Sequence, residues 1–453
     1  MFIFSRRWMQ TCLDDLSETL DPVSLQKLAD RLNRAGDGRL AAMWELVFLR
    51  ALGHAGSVRH EMSLPDGKQP DFEWTISTGG LPIVVWGDVT TVSDASLDEK
   101  NPVDYLSDEI TRLARKSGLN PNHFRYDVRG GRVGEYSKGV MRLTLPTHPE
   151  LQKIVKTQVE PFIRALASKP GAPKHFACSQ PDASFTVDYD QSQMYAGGGH
   201  TSYDVALSLT NNPIFKALKR KTSQLGAAPA DAVRLIILCD ADCASMSRKH
   251  VSTGQHLSRA IAEDFLRQNS SIDLVLLSTV RSEGGDWARR VELSPKFDLL
   301  TAPAGPRSAR AAASVVAAVK EALELAVSIV PRPVLEPINA ARRCMERGYS
   351  IGMRGGYMTT ETGTIKISSR ALLQLLAGEL TSEEFLTAHG WNPAEAGSHG
   401  TSLFRQAFKS GRMIKAVKVD PAQDDDWLEF DFTAPDPAFS PFVAAQTKGK
   451  ADA

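Results

Sequence analysis

Three acidic residues stand where a carboxylate needs a reason. Glu45 lies in AAMWELVFL, and between Ala41 and Leu52 only Glu45 and Arg50 are charged. A helix apolar nearly all round is buried, and a buried carboxylate requires a cation or hydrogen bonds. Either Glu45 pairs with a nearby arginine such as Arg50 or Arg59, or it belongs to a site. Asp71 follows Pro70 at the start of a strand, where it is a turn acid or a ligand. Asp88 lies in VVWGDVTTV, and strand alternation puts Val84, Trp86, Asp88 and Thr90 on one face. Asp71 and Asp88, on adjacent strands of a hairpin, can converge on one divalent cation. Oxygen ligands suit Mg²⁺ or Mn²⁺, which can lower the pKa of a bound water and offset charge on a phosphate.

The elements that must position these acids follow from pattern and punctuation. Two short helices are expected in 8–36, split at Leu20-Asp21-Pro22, then a buried helix over 40–52. Residues 58–64, 70–76 and 82–92 read as three strands of a meander, separated by Asp66-Gly67 and Gly79-Gly80. Residues 94–205 read as a less regular insertion with helices near 102–117 and 148–168 and a flexible loop at 194–200. Then come a helix over 212–226, a buried strand over 232–242, a helix over 256–268 and a buried strand over 271–280. Alternation of this kind implies parallel pairing next to the meander. TAPAGPRS (301–308) reads as a linker, followed by helices near 308–330 and 336–347. A small C-terminal module follows, in which Thr381 and Glu384 spell a capping box. The domain expectation is N-terminal helices over 1–39, an α/β domain over 40–281, linker and helices over 282–350, a C-terminal α+β module over 351–443 and a disordered tail over 444–453.

Pro70-Asp71 followed by Asp88-Val89-Thr90, with Glu45 on the preceding helix, resembles the PD-(D/E)XK nuclease superfamily over roughly residues 40–281. The resemblance implies a restriction-endonuclease-like mixed sheet flanked by helices and metal-dependent hydrolysis of phosphodiesters, with DNA the favoured substrate. It implies Asp71 and Asp88 as Mg²⁺ or Mn²⁺ ligands and Glu45 as a further ligand or a water holder. Bacterial proteins resembling this superfamily and bearing large accessory regions often act in restriction or defence against foreign DNA. The family's lysine, two residues after the second acid, is Thr90 here. Some members supply that lysine from another element. On helix 212–226, Ile214, Leu218, Lys221 and Leu225 form the core-facing stripe, and a lysine there is rare without a partner. Lys221 is therefore expected to replace the missing lysine, with Gln224 beside it; the other reading has Lys221 snorkelling past the sheet edge.

Composition narrows the rest. The 453 residues hold 53 Lys+Arg and 53 Asp+Glu, so nucleic-acid contact would have to come from a local patch. Arg125, Arg129, Arg132 and Lys138, among aromatics and glycines, are the candidate phosphate contacts, or else a solvated loop. Five cysteines without a CxxC pair suit a reducing, cytoplasmic compartment. The first residues do not read as a signal peptide, and no run reaches the length of a membrane span. His54, His60, His200 and His250 have no metal-ligand spacing, and Asp424–Trp427 reads as a solvated turn or a cation holder. Two competing functions remain: an inactive nuclease-fold subunit binding nucleic acid or a protein partner, or a homo-oligomer of such subunits, and a different enzyme built on Asp240 and Asp242 at a strand's C-terminal end.

Overall fold

The computed structural model describes residues 2–34, 36, 38–77, 80, 82–135, 138–168, 174–193, 196–283, 292–302, 312–344, 357–359, 364–389, 403–421, 426–436 and 438–439. The chain forms two compact units, one of residues 8–345 with 2–4, the other of residues 346–453 with 1 and 5–7.

The larger unit is α/β. Its helices α1 (Arg6–Leu16), α2 (Pro22–Asn33) and α3 (Gly38–Ala55) precede a six-stranded mixed sheet. The strands are β1 (Ser57–His60), β2 (Phe72–Ile76), β3 (Ile83–Val92), β4 (Val233–Asp240), β5 (Leu274–Glu283) and β6 (Glu292–Thr301), in that spatial order. The pairs β1–β2, β2–β3 and β5–β6 are antiparallel, whereas β3–β4 and β4–β5 are parallel. Burial follows from this. Every residue of β4 is buried, as a central parallel strand requires, while β2 alternates.

Helix α3 packs against β3 and is in turn covered by α2 and by α6 (Ala313–Ser328), which explains its near-continuous burial from Arg39 to Leu52. Helices α4 (Pro213–Gln224) and α5 (Ser258–Gln268) cover the opposite face, with Ile214, Leu218, Ile261 and Phe265 against Trp86, Ile236 and Val275. The N-terminal helices and α6 thus belong to the same unit as the sheet. Strand β6 was not anticipated: Pro295, Lys296 and Asp298 interrupt its apolar pattern, and proline is tolerated because β6 is an edge. Residues 303–308 of the expected linker lie outside the described residues, as do residues beyond 439 and Asp424 and Asp425.

Gly87 has a steric duty. A Cβ there would lie 2.2 Å from the Phe72 ring and 2.8 Å from the Leu235 carbonyl oxygen of β4. Gly87→Ala must move either β4 or Phe72, whose neighbour is Asp71. We expect a stability loss of about 1–3 kcal/mol by urea unfolding, as for overpacked cores.

The insertion is more ordered than its sequence suggests. Helices Val103–Lys116 and 148–168, the latter with a π-turn at Val155–Val159, pack on a four-stranded sheet. That sheet runs His175–Gln180, Ala183–Tyr189, Phe124–Val128, Gly197–His200, and its core includes Leu106, Ile110, Phe124, Leu151, Phe185 and Val187. The segment expected as a flexible loop ends in a strand, Gly197–His200. It is glycine-rich because the Tyr126 ring lies where a Cβ of Gly198 would stand.

In the smaller unit, strands Tyr357–Thr359, Thr364–Ser368, Asp426–Phe432 and Ile414–Pro421 form an antiparallel sheet in that order. Its core holds Ile365, Ile367, Ala371, Phe385, Trp427 and Phe430. The capping box forms: Thr381 N donates to Glu384 Oε2 at 2.8 Å, and Glu384 N to Thr381 Oγ1 at 3.1 Å.

Candidate active site

Helix α4 starts at Asn212, whose Oδ1 accepts from Phe215 N at 2.8 Å, and its stripe of Ile214, Leu218 and Lys221 is buried. This register delivers Lys221 to the sheet. Its Nζ donates to Asp88 Oδ1 at 3.1 Å and stands 3.6 Å from Asp71 Oδ2. The Asp88 side chain is fully buried. Each carboxylate also accepts from the backbone of the facing segment: Asp71 N donates to Asp88 Oδ1 at 3.3 Å, and Val89 N to Asp71 Oδ2 at 2.8 Å. The structure thus joins Asp71, Asp88 and Lys221 into one cluster, with Lys221 turned to the acids rather than snorkelling away. Gln224, half-buried on the last turn, makes no side-chain hydrogen bond to them.

Burial, together with the like charges of Asp88 and Glu45, outweighs the pull of Lys221 and pushes the Asp71 carboxyl up to about 7. Burial likewise raises Asp88 against the opposing Lys221. A carboxyl raised on folding binds its proton more tightly in the folded state, so its contribution to stability falls as pH rises from the unfolded value near 4 to the folded value near 7. Asp71→Asn mimics the protonated form. Its stability relative to wild type should therefore climb between pH 4 and 7 and level off above, as read by urea unfolding; a difference independent of pH would contradict the shift.

Glu45 is placed elsewhere. Its Oε2 accepts from Arg31 Nη1 at 2.7 Å and its Oε1 lies 3.1 Å from His60 Nε2. Burial pushes this carboxyl up, but His60 and Arg31 prevail and hold it below its ordinary value. The arginines expected as partners are occupied: Arg50 pairs with Asp15 and Arg59 with Glu73. His60 and Arg31 were missed. His60 lies two residues after the inward-facing Val58, and that alternation was the available signal. Arg31 gave none, since it reaches Glu45 through the packing of α2 on α3. Thr90 Oγ1, two residues after Asp88, accepts from Arg220 Nη2 at 3.2 Å.

The basic candidates Arg125, Arg129, Arg132 and Lys138 are exposed on the insertion. That region is tied to the start of α4, where Asn211 Nδ2 donates to the Lys138 carbonyl at 2.8 Å. Asp240, the centre of the competing strand-end reading, is fully engaged. Its Oδ1 accepts from the backbone of Asp242 and Cys243 at 3.1 and 3.0 Å, and its Oδ2 from Thr279 Oγ1 at 2.7 Å. Asp240 therefore ties down a turn in which Asp242 takes a left-handed φ of 80°. With Asp94, Asp98, Asp204 and Asp242 it lines a separate cleft.

The acid pair suits a hard cation on one observation: Asp88 Oδ2 is buried with no hydrogen-bond partner. Among the described residues no three His, Cys, Asp or Glu stand together as a metal group, so the fit is to a two-carboxylate site. Mg²⁺ is commonly held that way, with water and substrate phosphate completing its shell. No described helix is long and apolar enough to cross a membrane. No protein-family model, no curated protein and no solved structure matches the chain.

Proposed function

We propose that the larger unit is a restriction-endonuclease-like domain that hydrolyses phosphodiester bonds in nucleic acid, DNA first, with Mg²⁺ or Mn²⁺. The observation that favours this reading is the Lys221 ammonium seated on both Asp88 and Asp71, 133 residues from Asp88 in sequence. Asp71 and Asp88 would hold the cation, the unpartnered Asp88 oxygen being one donor. A divalent ion bound there lowers the pKa of a coordinated water and offsets phosphate charge. Lys221 would orient the attacking water and stabilise charge developing on the phosphate. Arg220, donating to Thr90 one residue before Lys221, holds the strand position that the family gives to lysine. Arg125, Arg129, Arg132 and Lys138 would contact the nucleic-acid backbone from the insertion.

The same ion pair also favours a second reading, in which Lys221 is a permanent counterion for both acids and the domain binds nucleic acid or a protein without cutting. The test is cleavage of plasmid, linear and single-stranded DNA with Mg²⁺ or Mn²⁺, comparing wild type with Asp88→Asn. Metal-dependent cutting by wild type alone supports the nuclease. Absence of cutting by both, with equal DNA binding and no Mn²⁺ binding, supports the counterion reading.

A further inference from the structure

A cleft of about 470 Å³ opens beyond the C-terminal ends of the parallel strands β3, β4 and β5, and the nuclease reading uses none of it. Asp94 follows β3, Asp240 and Asp242 close β4, and the two ends of the insertion bring Asp98 and Asp204. Asp94 is six residues past Asp88, roughly 20 Å along an extended chain. A crevice outside the carboxyl ends of strands is where α/β sheets bind ligands, and the volume is that of a small-molecule site.

Among the described residues that line the cleft, carboxylates outnumber cations, and the cations are committed. Arg248 Nη2 donates to Asp204 Oδ2 at 2.6 Å, Arg281 Nη1 to the Ser247 carbonyl at 2.6 Å and Lys249 Nζ to the Ser282 carbonyl at 3.1 Å. Asp240 is spent on its turn. Asp94 is not. It is 6% exposed, its Oδ2 accepts from Ala244 N at 2.7 Å, and its Oδ1 is buried with no hydrogen-bond partner. Its N donates to the Asp242 carbonyl at 2.8 Å, which fixes it at the junction of β3 and β4. A buried carboxylate oxygen without a donor is costly. Burial outweighs the Ala244 amide and the Cys243 thiol and, with the charges of Asp204 and Asp98, pushes the Asp94 carboxyl up to about 7.

We propose that this cleft binds an aliphatic amine with two or more ammonium groups, one neutralising Asp94 and another facing Asp98 and Asp204 at the root of the insertion. No three acids among the described residues gather closely enough to hold a metal ion, so separated charges suit these walls better than one compact cation. Val280, Pro337 and Ile338 supply apolar surface for the methylenes between the charges. Asp98 is held for its part by Tyr203, whose hydroxyl donates to Oδ1 at 2.9 Å.

The experiment is calorimetric titration of the full chain, free of DNA, with spermidine at about 0.15 M salt, where exposed charge pairs are largely screened. Wild type should bind one spermidine saturably. Asp94→Asn should weaken binding on the order of ten- to a hundredfold, the worth of one charge-assisted hydrogen bond. Asp98→Asn, at a half-buried position and with an oxygen left for Tyr203, should weaken it as well, and it carries the test if Asp94→Asn fails to fold. Equal affinity in wild type and in each folded variant, or heats that never saturate, overturn the site. Displacement of spermidine by equimolar Mg²⁺ overturns the amine and makes a metal ion the occupant. The acid pair lies outside the cleft, so the nuclease reading stands or falls separately.

Discussion

Lys221→Met should unfold more easily at pH 8 by about 3–5 kcal/mol, the usual cost of removing one member of a buried ion pair. The loss should shrink at pH 5. The physical reason is the pair left behind: Asp88 with its side chain fully buried and Asp71 beside it, each already raised by burial. Without the ammonium both carboxyls rise further. Because a raised carboxyl is the acid form in the folded state, the penalty is present above its folded pKa and fades as pH falls toward the unfolded value near 4. Millimolar Mn²⁺ should restore part of the loss at pH 8, since an ion bound only to the folded state stabilises by about 2.7 kcal/mol at a hundred times its Kd. DNA cleavage should fall on the order of 10²–10³-fold, the effect of losing one charge-stabilising donor. Urea unfolding at the two pH values, with and without Mn²⁺, is the measurement. A loss equal at both, and indifferent to Mn²⁺, would assign Lys221 to packing alone.

Asp88→Asn should differ in its effect on stability, holding or raising it while abolishing cleavage. The substitution keeps the shape and removes a buried charge whose second oxygen has no partner, and Lys221 retains Asp71 at 3.6 Å. Cleavage should fall at least on the order of 10³-fold, because the amide is a poor ligand for a hard cation and the site has only two carboxylates in contact. Thermal unfolding paired with the cleavage assay reads both. Activity lost with stability kept marks a residue held for chemistry at the expense of stability. Activity lost together with the fold would make Asp88 a structural ion-pair member.

The sequence exposed those features of the fold that repeat locally. The meander, the buried helix α3 and the stripe on α4 all follow from period and punctuation, and the stripe led to Lys221 because a lysine among Ile214, Leu218 and Leu225 needs a partner. What stayed hidden depends on packing between distant elements. Arg31 reaches Glu45 only because α2 lies on α3, and Arg220 reaches Thr90 across 130 residues. The insertion's strands went unread, as did β6, and two of these misses have chemical reasons. Pro295 and two charges mask the edge strand β6, and the glycine-rich strand Gly197–His200 lacks the β-branched residues that mark strands.

The route of the chain through the sheet has a kinetic consequence. Strands β3 and β4 are parallel neighbours, yet Val92 and Val233 are separated by the whole insertion and α4. Closing so long a loop is slow, because chain entropy is lost before the distant contacts reward it. The insertion has a core of its own, so it can collapse early and bring Asp94 and Ala206 toward each other as a pre-formed clasp. Lys221 joins the acid pair only after that clasp has closed and α4 has docked on β3. A chain interrupted before α4 therefore carries Asp71 and Asp88 without their counterion, and the cluster stays incomplete until α4 has packed on β3.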